Sequence, residues 1–557
     1  MKKYNKLSLM DSSLLKRITN CSLIFIFPKP YILNFIIFIL LSLFFNLFIM
    51  FSLVKSIAVN WLSWTIIDVE VDINNWLASF TIVWLPDQWV QESKERIRSA
   101  LKSSFAKLPT TRITVNLAPA DIRKVWPSFD LPIAIGILLS DEIILEKKLV
   151  DESIFLWELA LDWKLRKVSW VLPATISARE NWFKRIFVPK ENIKEASIVD
   201  WIDIIWIDSL LDLIDILNLR KDYEVSPKID LSSLKQEKLE KYDFSYVIWQ
   251  EFAKRALMIS ASWWHNIIMN WPPWSWKTML AKALRTILPD LTIEESIEIS
   301  KIYSISGLLS AENPVIVDRP FRTVHHTASS ISIIGWWRNA KPWEISLAHK
   351  WVLFFDEVLE FQKNVLEVLR QPLEDWNITV NRVNSTYTYP AKFMFVGAMN
   401  PCPCGFLTDL KKECKCSAKE IERYRSRLSG PLLDRIDIFI EVPKVETDKF
   451  GKNAPKWESS IDIKKKVEKA RQIQLDRFAE SKITFNAEMW AKEVEKYCKL
   501  DNDWEVILKQ AVNNLDLSAR SYYKILKLSR TIADLAWSQD ITTTHLLEAL
   551  SFRKKGG

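Results

Sequence analysis

Glycine is nearly missing from this sequence, with nine residues in 557, where ordinary usage is near ~7%. Taken literally, that shortage excludes any glycine-rich phosphate loop and starves the turns that need positive φ. Tryptophan shows the opposite bias, with 27 residues. The two types together make up about 6.5% of the chain, close to the usual share of glycine alone. Their placement is also glycine-like. Tryptophan occurs in pairs (Trp263-Trp264, Trp336-Trp337) and after Pro, Ser and Asp in loop-like segments. This pattern points to a gene in which UGA encodes glycine, rendered here as tryptophan. UGG codons at Trp271, Trp274 and Trp276 would remove the idea.

Other shortages narrow the class further. There are six cysteines, four of them within residues 402–416. That is metal-site spacing and not a secreted disulfide framework, as expected of a cytoplasmic protein. The net charge of +8 is mild for this length; it permits an anionic partner without demonstrating one. No internal repeat is present. Residues 31–54 carry no charged side chain and are long enough to span a bilayer. Residues 1–49 read instead as a translated AT-rich leader outside the mature protein, with Met50 as the start; a membrane anchor is the alternative.

The length allows two or three domains. Residues 50–224 mix strand and helix patterns. Ile66–Ile73 alternates with period two, Gln91–Leu108 is amphipathic and Ile113–Leu117 is a second strand. Residues 225–243 are polar and include Pro227, as a linker would be. Across 244–445, apolar strands (Asn266–Met269, Val352–Phe355, Phe393–Ala398) alternate with helices, which predicts an α/β core on a parallel sheet. Residues 446–557 are mostly helical from Asp462 onward.

Three strand ends carry chemistry. After Asn266–Met269 the chain reads Asn270-Trp271-Pro272-Pro273-Trp274-Ser275-Trp276-Lys277-Thr278 and then a helix, Met279–Leu288. With glycine at the three tryptophans this is a complete P-loop in its strand–loop–helix setting. Main-chain N–H groups must curl around phosphate oxygens with no Cβ in the way, and the helix N-terminus adds its dipole. Lys277 then reaches the β- and γ-phosphates of ATP, and Thr278 ligates Mg²⁺. The second strand, Val352–Phe355, delivers Asp356 for the Mg²⁺ shell and Glu357 to polarise the attacking water. The third delivers Asn400 to orient that water. Alone, a strand ending in Asp-Glu, or an Asn before Pro401, is an ordinary strand end or turn; together with the loop they form a site.

At this point the sequence resembles the YifB/ComM family of magnesium-chelatase-like AAA+ proteins. The likeness rests on Ile345–Glu357, Asn364–Asp375 and Gly397–Gly405, and on Val83–Arg96 and Val115–Arg123 in the first domain. Where the family has glycine and this chain differs, the chain has tryptophan. The resemblance implies a ring, a hexamer, in which an arginine completes a neighbour's site; Arg435 matches it, with Arg423, Arg425 and Arg427 as competitors. Arg520 matches a cis-acting arginine of a C-terminal helical lid. Both place guanidinium charge against the γ-phosphate. The first domain resembles the Lon-protease-like α+β fold. Ser128 falls where that nucleophile would lie, but the segment that should supply the lysine reads Val171-Leu172-Pro173-Ala174, so an interaction module is expected and not a peptidase. The family implies DNA remodelling, by branch migration or unwinding during transformation; a protein-remodelling subunit of the chelatase type is the rival.

Cys402-Pro403-Cys404 and Cys414-Lys415-Cys416 form two C-x-C pairs. Four thiolates on short loops suit tetrahedral Zn²⁺, and four reduced thiols in a surface loop are the alternative.

Overall fold

The computed structural model describes residues 51–553 except 61–62, 75–76, 84–87, 105–110, 120–128, 158, 160–167, 169, 230–241, 248–249, 273–276, 311–312, 320, 330–331, 334–343, 382–385, 410–411, 444–457, 482, 501–503, 505, 507 and 511–517. The expected leader, Ser128 and the centre of the P-loop therefore lie outside the described residues. Of the stretch 31–54, residues 51–54 belong to a strand. Among the described residues no helix is long and apolar enough to cross a membrane.

The first domain begins with long antiparallel strands β1 (Phe51–Asn60) and β2 (Ser63–Asn74). Strand β3 (Ser79–Val83), helix α1 (Gln88–Ser103) and strand β4 (Arg112–Ala118) follow, and the sheet runs β1-β2-β4-β3. Period-two alternation puts Ile67, Val69, Val71 and Ile73 on the buried face. Helix α2 (Asp130–Ser140) is buried along its whole length. A parallel sheet of β5 (Ser153–Phe155), β6 (Arg185–Pro189) and β7 (Asp203–Ile207) shares the same core. Between β5 and β6 lies α3 (Val171–Glu180), whose first turn buries Val171-Leu172-Pro173-Ala174 and holds no lysine. Residues 225–229 still bond to this domain, through Ser226 N–H to the Ile204 carbonyl and Ile229 N–H to the Ser197 carbonyl.

The central domain packs α4 (Glu251–Trp263) and α5 (Lys277–Ile287) on a five-stranded sheet. Its strands are β8 (Ile267–Asn270), β9 (Phe321–Val324), β10 (Val352–Phe355), β11 (Met394–Met399) and β12 (Ile438–Glu441). Their order is β12-β8-β11-β10-β9, with every neighbouring pair parallel. Strands buried on both faces explain the unbroken apolar runs in the sequence. Helix α6 (Arg370–Asp375) precedes an antiparallel hairpin of Asn377–Asn381 with Thr386–Pro390. The C-terminal region is helical, with α7 (Ser460–Arg477), α8 (Ala491–Tyr497), α9 (Ala519–Leu535) and α10 (Thr543–Ser551) among the described residues.

Several tryptophans occupy positions that suit no indole. Among the described residues, ten other than glycine have left-handed φ, and six of them are tryptophan: 170, 182, 201, 264, 376 and 537. Trp264 and Trp376 cap the C-termini of α4 and α6. Trp182 and Trp537 follow α3 and α9, where Phe183 N–H and Ser538 N–H reach back to the Ala178 and Ala533 carbonyls. That is the helix-ending motif glycine supplies because it has no Cβ. Conversely, the buried Nε1 groups of Trp157, Trp263, Trp271 and Trp351 have no hydrogen-bond partner among the described residues, although a buried indole N–H ordinarily finds one.

Candidate functional site

Strands β8, β11 and β10 lie side by side, so their C-terminal ends converge. The register pairs Asn270 with Met399 and Gly397 with Phe355. Trp271, Asn400 and Asp356 each follow directly on one of these strands, and α5 opens at Lys277 after the loop from β8. Trp271 N–H donates to the Met399 carbonyl at 2.9 Å, tying the loop to the strand that delivers Asn400. Gly397 keeps this layer tight: a Cβ there would sit 2.9 Å from Val358 Cγ2 and 3.2 Å from Ile268 Cγ1. Ligand crevices of open α/β sheets form outside such strand ends.

Asp356 and Glu357 are half-buried. Glu357 has φ 52°, and its N–H donates to Asp356 Oδ1 at 3.0 Å. His326, from the segment after β9, places Nδ1 3.3 Å from Glu357 Oε2, and its ring lies 4.2 Å from that of His325. Sequence reasoning missed His326, because nothing in its spacing marks it; only the pairing of β9 with β10 brings it to the glutamate.

The two arginines lie at the other end of the sheet. Arg435 precedes β12, whose start pairs with the start of β8: Asp437 and Ile438 N–H both donate to the Asn266 carbonyl, and Asn266 Nδ2 donates to the Arg435 carbonyl at 3.1 Å. Five residue steps along β8, about 17 Å at the usual strand rise, separate that end from Trp271. Arg520 lies at the start of helix α9 and meets the same region. Both arginines bind Glu374 of α6. Burial, with Arg520 and Arg370 nearby, lowers the pKa of Arg435. Helix α9 is held there by Lys524 Nζ, 2.7 Å from the buried Asp437, and by Arg553, which donates to the Asp437 carbonyl and Ser521 Oγ. Burial alone would raise the pKa of Asp437, but Lys524 and His265 pull it far down. The competing Arg423, Arg425 and Arg427 are all exposed; Arg427 also donates to the Leu359 carbonyl.

The cysteines assemble as expected. Cys402, Cys404, Cys414 and Cys416 bring their sulfurs within 4.8 Å of one another. Separations of 3.4 Å (402–404), 3.6 Å (402–414) and 3.6 Å (404–414) approach the edge of about 3.8 Å set by Zn–S bonds in a tetrahedron. The Phe406 N–H holds the Cys404 thiol down at about 6, while burial pushes the Cys402 thiol up to about 12; the sulfur spacing is what makes the set compatible with Zn²⁺.

Family models for magnesium chelatase subunit ChlI match residues 243–450, with a further ChlI model on 69–192 and a ChlI C-terminal model on 457–553. Competence protein ComM of Haemophilus influenzae is 40% identical over 490 residues, covering 88% of this chain and 94% of that protein. The uncharacterized protein YifB of Escherichia coli is 37% identical over 487 residues, covering 87% and 94%. The chain belongs to the YifB/ComM family. Membership supports an AAA+ ATPase that uses ATP and Mg²⁺, and the strand-end geometry fits a YifB/ComM protein of that kind. The side chains of Lys277 and Thr278 lie outside the described residues; their backbone opens α5, where a P-loop places them.

Proposed function

We propose that this YifB/ComM protein is a ring-forming ATPase, assembled as a hexamer, that drives branch migration or unwinding of DNA. The observation that carries the ring is the separation within one chain of the P-loop end of the sheet from Arg435 and Arg520. Arginines on the far side of their own sheet serve a neighbour's nucleotide. On this reading Arg520 acts in trans with Arg435, and not in cis as the resemblance alone implied. Lys277 and residues 271–276 bind the phosphates. Asp356 and Thr278 would hold Mg²⁺, which supplies charge neutralisation at the transferring phosphoryl group. Glu357 takes the proton of the attacking water and Asn400 orients that water.

The DNA substrate is drawn from the relative described as a competence protein; the chelatase family model favours a protein substrate as the second reading. ATPase assays on the full chain with and without single-stranded and forked DNA separate them. DNA-stimulated, Mg²⁺-dependent hydrolysis that disappears in Lys277→Ala is expected, and no stimulation by any DNA form overturns the DNA reading. The first domain serves as an interaction module, the cysteine cluster holds structural zinc, and the protein works in the cytoplasm.

The active product carries glycine at 271, 274 and 276, because indoles there would occupy the phosphate site. The left-handed tryptophans and the unpartnered buried indoles support this reading. The tryptic peptide ending at Lys277 spans Trp263, Trp264, Trp271, Trp274 and Trp276. Its mass in the natural product counts the glycines, and five genuine tryptophans would refute the recoding.

A further inference from the structure

Glu374 gathers two cations from two domains. Its Oε2 accepts from Arg435 Nη2, which comes from the turn before β12, and its Oε1 accepts from Arg520 Nη2 at 3.0 Å, from the first turn of the lid. The arrangement is not a loose surface pair. The Arg435 side chain is only 11% exposed, its Nη1 donates to the Pro431 carbonyl at 2.6 Å, and its buried Nε has no partner among the described residues. Arg520, by contrast, is 59% exposed and faces outward. Two guanidinium groups repel at this range, so a shared carboxylate is what lets them stand together. Arg370, whose charge also bears on Arg435, is occupied separately by Glu367 at 2.7 Å.

We propose that Glu374 is a positioning residue that clamps Arg435 and Arg520 into one two-pronged cation for the γ-phosphate of a neighbouring subunit's ATP. The proposal rests on the ring-ATPase reading above. Glu374 itself touches no nucleotide. Its work is preorganisation: a long, flexible arginine aimed in advance loses less freedom at the transition state. Core and lid arrive together because Lys524 and Arg553 already fix the start of α9 to residues 436–437. An exposed ion pair without such a role would contribute almost nothing measurable.

The test uses the full chain expressed from its own gene in a host that reads UGA as glycine. Glu374→Gln keeps the shape and removes the charge at a side chain that is 43% exposed, so folding is preserved and is verified by its melting temperature. The expected result is a kcat about tenfold lower, the scale of one charged hydrogen bond, with KM for ATP unchanged. Adding Arg520→Ala to Glu374→Gln costs less than it does in the unmodified chain. Mixed rings then separate the trans role from any local defect. Glu374→Gln subunits keep an intact P-loop, and Lys277→Ala subunits keep an intact clamp, so mixing the two raises hydrolysis severalfold above either alone. A normal kcat in Glu374→Gln, or mixing that only dilutes activity, overturns the proposal. A Lys277→Ala chain that still hydrolyses ATP overturns the ATPase reading and the clamp with it; an inert Lys277→Ala beside a fully active Glu374→Gln overturns the clamp alone.

Discussion

In the chain that carries tryptophan at these positions, replacing Trp182 and Trp201 by glycine should stabilise the first domain. Both residues have left-handed backbones, with φ 63° and 67°, and both are almost bare to solvent, at 92% and 86% exposure. Their indoles bury little, so removing them forfeits little hydrophobic stabilisation. A side chain forced into the left-handed region costs about 1–2 kcal/mol. Glycine gives back roughly 0.5–1 kcal/mol of that through its freer unfolded chain. The pair together should therefore gain about 1–2 kcal/mol. At a urea dependence of roughly 1–3 kcal/mol/M, the midpoint moves up by about 0.5–1 M. The assay is a urea titration of the first-domain transition followed by far-UV circular dichroism. The control is alanine at both positions, which removes the indole but keeps the Cβ that makes the conformation costly. An alanine pair that gains as much as the glycine pair, or a glycine pair that gains nothing, refutes the steric argument.

Elemental analysis of the purified chain should find about one zinc per molecule, lost when Cys402 and Cys414 are both changed to serine; an unchanged content dissociates the metal from the cluster. Asp437→Asn leaves Lys524 buried against a neutral partner and should cost about 3–5 kcal/mol, measured by thermal or urea denaturation; a loss below about 1 kcal/mol would mean that water reaches the pair. Glu298 offers a pH test. Burial alone would raise its pKa, but the hydrogen bonds from His349 and Lys350 prevail and hold it at about 2, below its ordinary 4.5. A depressed carboxylate stabilises fully above its unfolded value and loses that contribution as pH falls. The unfolding midpoint should therefore drop between pH 4.5 and 2, and Glu298→Gln should be both less stable at neutral pH and flatter across that window.

The parts of this molecule that depend on local patterning were legible early. Apolar runs marked β8, β10 and β11, since strands covered on both faces have no polar side to show. The C-x-C pairs gave a cluster because short loops leave four sulfurs few other places to go. What was hidden is long-range. Strand β11 lies between β8 and β10, so Asn400 is nearer the P-loop strand than Asp356 is, although it comes later in the chain. The position of Arg520 was hidden for the same reason: a helix-start arginine shows no sign of which end of a sheet it will meet. Glu374 and His326 belong to no spacing rule and became visible only through their partners. The tryptophans were legible in both ways, by composition from the sequence and by φ from the backbone.

The distance between the two ends of β8 also bears on control. On the ring-ATPase reading proposed above, a solitary subunit holds the grip for its fuel on one side and the trigger on the other, and cannot bring them together by any small movement. Idleness is thus the default of the free chain. Turnover should climb more steeply than linearly with protein concentration, and dilution should act as a brake that needs no inhibitor.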